Sequence, residues 1–299
     1  MNLPSRKKST RLDGLSNAGE PRHARSAATG VRMRTDFDRV VVTRHGDVAL
    51  FALNHPEVMN AVSAKMIVGA SSALDFVTHP DNGFRVLVVT GAGGAFCSGA
   101  NLADGPAEGT PDIPSAIGYR LDTLYHPLLR KLRDIPMPVI TAVNGAAAGI
   151  GMSIALMGDL ITAARSAYFL QAFARIGLVP DGGSTWLLPR LVGLARAREL
   201  SLLAEKLPAE KALEWGLINR VFDDSALLEE TLKLAERLAR GPTVALAAMR
   251  RMYWESPHNS YEQQLEVERR SQQAAGETGD FVEGVSAFLQ KRPPEFKGK

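Results

Sequence analysis

The sequence of 299 residues contains one cysteine, Cys97, and only 6% aromatic residues. A single cysteine excludes an intramolecular disulfide and a thiolate-rich metal site, and it favours a reducing intracellular compartment. No uninterrupted apolar run approaches the roughly 18 residues that a membrane-spanning helix requires, and the apolar core of a signal peptide is missing. We therefore expect no membrane association, no bound metal and a cytoplasmic location.

The sequence also lacks the two common nucleotide-binding loops. Gly91, Gly93 and Gly94 follow an apolar run, but the dinucleotide pattern needs a further glycine where Phe96 stands. The Gly-Lys-Ser/Thr end of a phosphate-binding loop is absent as well. Neither nucleotide-binding interpretation is supported.

Positive charge is concentrated at the start of the chain. The net charge is +3, and residues 1–34 carry eight Lys or Arg against Asp13 and Glu20. With few large apolar residues, residues 1–35 are predicted to be a disordered basic tail. It could be a solvated tail, a transit peptide that directs the protein to the mitochondrial matrix, or an arm that binds nucleic acid. No aromatic residues interleave with the basic ones, so a nucleic-acid partner is not expected.

The remaining chain alternates between strand-like and helix-like patterns. Two apolar runs around Gly46 predict a β-hairpin, and Ser63 is a predicted N-cap for a helix over residues 64–77. Buried strands are predicted over residues 86–89, 139–143 and 160–164, and the last third is almost entirely helical. The fold class is therefore α/β, with a core over residues 36–225 and a helical C-terminal region over residues 226–299.

Two glycine-rich turns are predicted to follow buried strands, over residues 96–102 and 144–151. Turns at adjacent strand ends can direct free backbone N–H groups at one point, and a helix starting there adds its positive end. Such an arrangement suits an oxyanion. The alternative is that the glycines only permit tight turns and close backbone packing.

Several segments in the same order resemble those of the enoyl-CoA hydratase/isomerase (crotonase) superfamily. They are Met59-Asn60-Ala61 and the segments over residues 96–102, 138–151, 176–193, 209–221 and 280–291. The resemblance covers residues 38–299. It implies a spiral of ββα units with a helical C-terminal trimerisation region, homotrimers or hexamers, and an acyl-CoA thioester substrate. No separate cofactor is implied, because CoA is part of that substrate.

The resemblance also implies which residues form the site. The two oxyanion donors fall on the main-chain N–H groups of Ala100 and Ile150, where Ile150 replaces the usual glycine. Asn101 replaces the common aspartate, and both residues cap helices well. The substrate-binding residues implied are Asn60, Ala61, Ser98, Gly99, Asn101, Leu102, Tyr125, Gly149, Phe173 and Phe281.

The hydratases of the family activate water with two glutamates, whose positions here hold Ser153 and Phe173. Neither side chain can be a general base at neutral pH. Asp181 remains, at the position where double-bond isomerases of the family place an aspartate. The surrounding residues 125–128 and 171–181 are most similar to the isomerases of phenylacetate degradation, which act on ring-epoxide or unsaturated acyl-CoA thioesters. Pro-Asp-Gly is also a common turn, so Asp181 could serve only as a turn residue.

The leading hypothesis is therefore an acyl-CoA isomerase that shifts a double bond, or opens a ring epoxide, with Asp181 as proton carrier. The apolar Phe173 is expected to exclude water and raise the pKa of Asp181. The alternatives are an enoyl-CoA hydratase or another acyl-CoA lyase or hydrolase of the same fold. A more remote alternative is a non-catalytic RNA-binding or scaffold protein.

Overall fold

The computed structural model describes residues 33–103 and 113–299. Predictions for residues 1–32 and for the loop over residues 104–112 lie outside this part of the chain. The first strand begins at Arg34, so the predicted tail boundary at residue 35 falls inside a strand.

The described strands, in chain order, are β1 (Arg34–Phe37), β2 (Val40–His45), β3 (Val48–Leu53), β4 (Val86–Gly91), β5 (Ala95–Cys97), β6 (Val139–Val143), β7 (Ala146–Ala148), β8 (Leu160–Ala164), β9 (Tyr168–Leu170), β10 (Leu207–Pro208) and β11 (Arg220–Phe222). They form a seven-stranded sheet in the order β1-β2-β3-β4-β6-β8-β11 and a four-stranded sheet in the order β10-β9-β7-β5. From β3 to β11 the larger sheet is parallel, which requires crossover connections between successive strands.

The described α-helices are α1 (Ala64–Thr78), α2 (Ile113–Arg120), α3 (His126–Arg133), α4 (Ile150–Ala155), α5 (Ser184–Val192), α6 (Leu194–Leu203), α7 (Ala209–Glu214), α8 (Leu227–Ala239), α9 (Thr243–Glu255), α10 (Tyr261–Gly276) and α11 (Gly279–Leu289). A π-helical segment, Leu121–Tyr125, joins α2 to α3, where the sequence predicts a single helix. Short 3₁₀ helices cover Pro56–Val58, Pro80–Asn82, Ala172–Ile176 and Ser256–His258. The predicted N-cap is confirmed, because the Ser63 hydroxyl accepts a hydrogen bond from the Met66 N–H.

The main core lies against the parallel strands. Every residue of β4 and β6 is buried, as their continuous β-branched runs predict. Helix α1 packs against β1, β2 and β3, and helix α8 packs against β3, β4, β6 and β8. The Thr231 hydroxyl on α8 lies 2.8 Å from that of Thr162 on β8. Helix α8 is therefore part of the core layer, although the predicted boundary at residue 225 assigned it to the C-terminal region.

Beyond α8 the chain is helical, and much of its apolar surface is exposed. Helix α10 contains no buried residue, while Tyr253 on α9 and Phe288 on α11 are 79% and 82% exposed. In the part of the chain that the structure describes, no helix is both long and apolar enough to cross a membrane. The mixed α/β architecture with a helical C-terminal region confirms the predicted fold class.

Candidate functional site

The two glycine-rich turns lie side by side. Strands β5 and β7 are neighbouring parallel strands, with Ala95 opposite Ala146 and Cys97 opposite Ala147. Because parallel strands share the direction of their carboxyl ends, both turns leave the sheet at the same edge. The turns thus follow these two short strands. Both strands are buried, as predicted for the strands that precede the turns, but most of their residues were predicted to belong to the turns themselves.

Gly149 brings the second turn into contact with the first. Its backbone has φ 52° and ψ −127°, a conformation that residues with a Cβ avoid. A Cβ placed on Gly149 would lie 3.8 Å from the Cα of Gly99 and 3.8 Å from Cζ of Phe173. The turns and the Phe173 ring therefore converge on one place. Helix α4 begins there, at Ile150.

Main-chain hydrogen bonds fix the first turn on both sides of Ala100. The Val62 N–H donates to the Gly99 carbonyl at 2.8 Å, and the Asn101 N–H donates to the Val62 carbonyl at 2.9 Å. Within residues 33–103 and 113–299, neither the Ala100 N–H nor the Ile150 N–H donates a hydrogen bond. Ile150 is the first residue of α4, where helix N–H groups have no partner within the helix. The predicted donors are thus on adjacent turns.

The turn that carries Asp181 packs against the start of α4. The Ser184 N–H donates to the Asp181 carbonyl at 3.1 Å, and Gly182 has φ 60°. A Cβ on Gly182 would lie 2.3 Å from Cδ1 of Ile150 and 2.8 Å from Cβ of Ser153. Only glycine allows so close an approach, so this contact places the Asp181 turn against the start of α4, where the predicted donor Ile150 lies.

The carboxyl group of Asp181 is half-buried, and its environment favours the protonated form. Among the described residues, no hydrogen-bond donor contacts its buried Oδ1. Burial raises the pKa of Asp181 to about 6, because a charged carboxylate loses solvation that no partner replaces. A carboxyl group with such a pKa can both accept and return a proton near neutral pH. The predicted direction of the shift is confirmed.

Ser153 and Phe173, which the resemblance aligns with the hydratase glutamates, lie beside the Asp181 turn and the Gly149 turn. Ser153, on α4, is fully buried and its hydroxyl donates to the main-chain carbonyl of Asp181 at 3.0 Å. Phe173 is buried, with its ring against the Gly149 turn. One position thus holds a hydroxyl that is hydrogen-bonded to the main chain, and the other holds an apolar ring.

The predicted substrate-binding residues of the first turns divide into exposed and buried groups. The Asn60 side chain is fully buried, accepting from the His55 N–H and donating to the Ala92 and Ala95 carbonyls at 2.8–2.9 Å. It therefore holds the turn in place, and buried Ala61 follows it. The Ser98 hydroxyl donates to the Val58 carbonyl at 3.2 Å. Leu102, by contrast, is exposed.

Three further predicted residues are distributed over separate elements. Asn101 does not begin a helix within the described residues; its Oδ1 accepts from the Ala103 N–H at 3.1 Å and closes a turn. Tyr125 ends the π-helical segment and is buried in the main core. Phe281 is exposed on α11. Their contacts with a substrate stay predictions.

The structure adds a cavity that the sequence did not indicate. Its volume is about 840 Å³, within the range of small-molecule sites. It reaches Gly182 and Gly183, next to Asp181, and Trp186 on α5 and Trp254 on α9 line it. The two indoles stack with ring centres 5.4 Å apart. Since α5 and α9 are about 60 residues apart in the chain, sequence periodicity carried no signal that they meet.

Comparison with known proteins agrees with this architecture. The model of the enoyl-CoA hydratase/isomerase family matches residues 43–299, and the chain belongs to that family. It is 44% identical to the 1,2-epoxyphenylacetyl-CoA isomerase of Escherichia coli (strain K12), over 84% of this chain and 95% of the relative. It is 46% identical, with the same coverage, to a Rhodobacter capsulatus protein named "Probable enoyl-CoA hydratase".

Solved structures give the same result. The chain superposes on the enoyl-CoA hydratase from Bacillus anthracis with a TM-score of 0.80 and 28% identity, covering 87% of this chain and all of the other. These findings confirm the predicted superfamily and its crotonase-type fold, and the protein is an enzyme of this family. The names of the relatives include both isomerases and hydratases, so the reaction has to be argued from the site.

Proposed function

We propose that the protein is an acyl-CoA isomerase that moves a double bond through an enolate, with Asp181 as the proton carrier. The observation that supports this most is the raised pKa of Asp181 on a turn packed against the start of α4. A single carboxyl group with a pKa near neutrality suffices for isomerisation, because the proton removed from one carbon is returned to another.

In the proposed reaction the Asp181 carboxylate takes a proton from the carbon next to the thioester carbonyl of a 3-enoyl-CoA. The electron pair delocalises onto the thioester oxygen, which the N–H groups of Ala100 and Ile150 stabilise. The protonated Asp181 then donates the same proton to the carbon at the far end of the dienolate. The product is the 2-enoyl-CoA, and the carboxylate is regenerated.

Hydration of the double bond would need a second group to activate water. The proposal is supported by the residue types at the two positions where the family resemblance implies glutamates in hydratases, since Ser153 and Phe173 provide only a hydroxyl and an apolar ring. Phe173 instead supplies an apolar wall, which disfavours water near the enolate. Opening of a ring epoxide is a second substrate class for the same site, supported by the name of the E. coli relative.

We also propose that the acyl group extends towards the cavity beside Gly182 and Gly183. The cavity is large enough for an aromatic or medium-chain acyl group, and Leu129, Met157 and the two indoles give it apolar walls. Replacing Trp254 with Ala should raise KM for long and aromatic acyl-CoA substrates more than for a short one. An equal change across the panel would contradict this placement.

A homotrimer or hexamer is proposed for the assembly. Helices α9, α10 and α11 expose aromatic and aliphatic side chains, including Tyr253, Tyr261 and Phe288. Apolar surface of this extent usually marks a protein interface. Light scattering coupled to gel filtration should give a mass of three or six chains. A monomer across the micromolar range would contradict the proposal.

The isomerase proposal is tested with a 3-enoyl-CoA and the variant Asp181→Asn. The wild type should form the 2-enoyl-CoA, while the variant should lose turnover and still bind a saturated acyl-CoA with unchanged affinity. Isomerisation by the variant at the wild-type rate would overturn the assignment. Faster hydration of a 2-enoyl-CoA than isomerisation by the wild type would favour the hydratase alternative.

A further inference from the structure

The main-chain carbonyl of Asp181 is held by more donors than a turn requires. It accepts from the Ser184 N–H at 3.1 Å, from the Ser184 hydroxyl at 2.9 Å and from the Ser153 hydroxyl at 3.0 Å. The two donors of Ser184 are local, three residues further along the chain. Ser153 comes from helix α4, 28 residues earlier, so its hydrogen bond joins separate elements.

The choice of acceptor by Ser153 is unusual for a helical serine. Such a hydroxyl commonly bonds to the carbonyl four residues earlier, which here is that of Gly149. That distance is 3.5 Å, against 3.0 Å to the Asp181 carbonyl. The hydroxyl therefore serves the Asp181 turn. Because Ser153 is fully buried, water does not compete for its hydroxyl group.

The carboxyl group of Asp181 has little else to orient it. In the part of the chain that the structure describes, no donor contacts its Oδ1. The direction of the carboxyl group therefore depends on where the main chain of Asp181 is fixed. Ser153 lies one turn into the helix that begins at Ile150, so its hydrogen bond fixes that main chain relative to the Ile150 N–H.

We propose that Ser153 is a positioning residue, which fixes the position of the Asp181 proton carrier relative to the start of α4. This inference rests on the proposed function of Asp181. Displacement of a reacting group by about 1 Å can reduce a rate by about a hundredfold. Loss of the hydroxyl should therefore reduce the rate of proton transfer without weakening the binding of the thioester.

The test compares Ser153→Ala with Ser201→Ala in the full-length protein, using the 3-enoyl-CoA assay. Ser201 is a matched control, because its hydroxyl bonds within α6 to the Ala197 carbonyl at 2.8 Å. Ser153→Ala should lower kcat by about tenfold to a hundredfold with KM changed less than twofold. Ser201→Ala should leave both constants unchanged. Ser153→Thr, which keeps the hydroxyl, should recover part of the lost kcat.

The outcomes separate this inference from the proposed function. If Asp181→Asn is fully active, the proposed function fails and the inference with it. If Asp181→Asn is inactive while Ser153→Ala keeps the wild-type kcat, only the inference fails. The inference is also overturned if Ser153→Ala raises KM as much as it lowers kcat, or if Ser153→Thr recovers nothing while matching the wild type in thermal unfolding.

Discussion

The Ser153 hydroxyl lies 3.0 Å from the main-chain carbonyl of Asp181 and joins helix α4 to the turn that carries the proposed proton carrier. The same helix begins at Ile150, one of the two proposed oxyanion donors. Groups that must act on neighbouring atoms of one substrate are thus attached to one short helix. A rigid common support is what precise placement of a reacting centre requires.

The first prediction concerns the pH dependence of turnover. Asp181 must be ionised to accept a proton, and burial raises its pKa to about 6. For isomerisation of a 3-enoyl-CoA, log(kcat/KM) should rise with unit slope below about pH 6 and level off above it. The pH dependence of kcat/KM reports the pKa values of groups in the free enzyme. Stopped assays across the acidic range measure this. An acidic limb centred near pH 4 would contradict a desolvated base.

The second prediction concerns stability. Because the pKa of Asp181 is higher in the folded protein than its ordinary value, the folded state binds the proton more tightly than the unfolded state does. The resulting stabilisation is fully present below about pH 4 and is lost as pH rises through about 6. The free energy of unfolding of Asp181→Asn minus that of the wild type should therefore be larger at pH 8 than at pH 4. Urea denaturation at both pH values tests this, and a constant difference would contradict it.

The third prediction isolates one main-chain donor. Proline is tolerated at the first position of a helix and has no N–H, so Ile150→Pro should fold and lose the donor. We expect kcat to fall by roughly a hundredfold to a thousandfold, as for removal of one oxyanion donor. Ile150→Ala is the control, because it removes more of the side chain than proline does and keeps the N–H. Equal activity of the two variants would show that this N–H has no such role.

The fourth prediction concerns the ion pair between Arg250, which is buried, and Asp159, which is partly exposed. Arg250 is 5% exposed and donates to the Asp159 carboxylate at 3.0 Å and to the Leu132 carbonyl at 2.9 Å. Burial raises the pKa of Asp159 despite this partner. Arg250→Ala would remove the charged partner of this partly exposed carboxylate and the donor to the Leu132 carbonyl, so we expect a loss of about 1–3 kcal/mol of stability.

The neighbouring residue provides the control for this variant. Arg251 is exposed, so Arg251→Ala should change the free energy of unfolding by less than about 0.5 kcal/mol. Chemical denaturation at pH 7 compares the two variants with the wild type. Equal stability of Arg250→Ala and Arg251→Ala would show that the contacts of Arg250 contribute nothing net to the free energy of unfolding.

The elements that could be predicted from the sequence are those specified by the conformational preferences of their own residues. Strands β6 and β8 were predicted over the residues they occupy, because continuous β-branched or aliphatic runs specify buried strands. Strands β5 and β7 were missed because each is only three residues long and forms by pairing with neighbouring strands, β5 with β7 and β7 with β9. Helix α5 was missed because it follows two glycines and contains Pro189.

Some features of the candidate site could likewise be predicted from the sequence, and others could not. The two glycine turns and Asp181 could be predicted, since their residue types and order carry the family resemblance. The contact between Ser153 and Asp181 could not, because it joins residues 28 apart in sequence. The desolvation of Asp181 follows from the packing of several elements, although the apolar residue at position 173 indicated its direction.

Gly149 has a further consequence for the genetics of this protein. Every single-nucleotide change in a glycine codon that alters the residue introduces a Cβ. At position 149 the backbone has φ 52° and ψ −127°, which a residue with a Cβ avoids. The added Cβ would also point at the neighbouring turn. No single-nucleotide missense change in the Gly149 codon is therefore expected to be neutral. Lineages that keep the reaction should tolerate only synonymous change there.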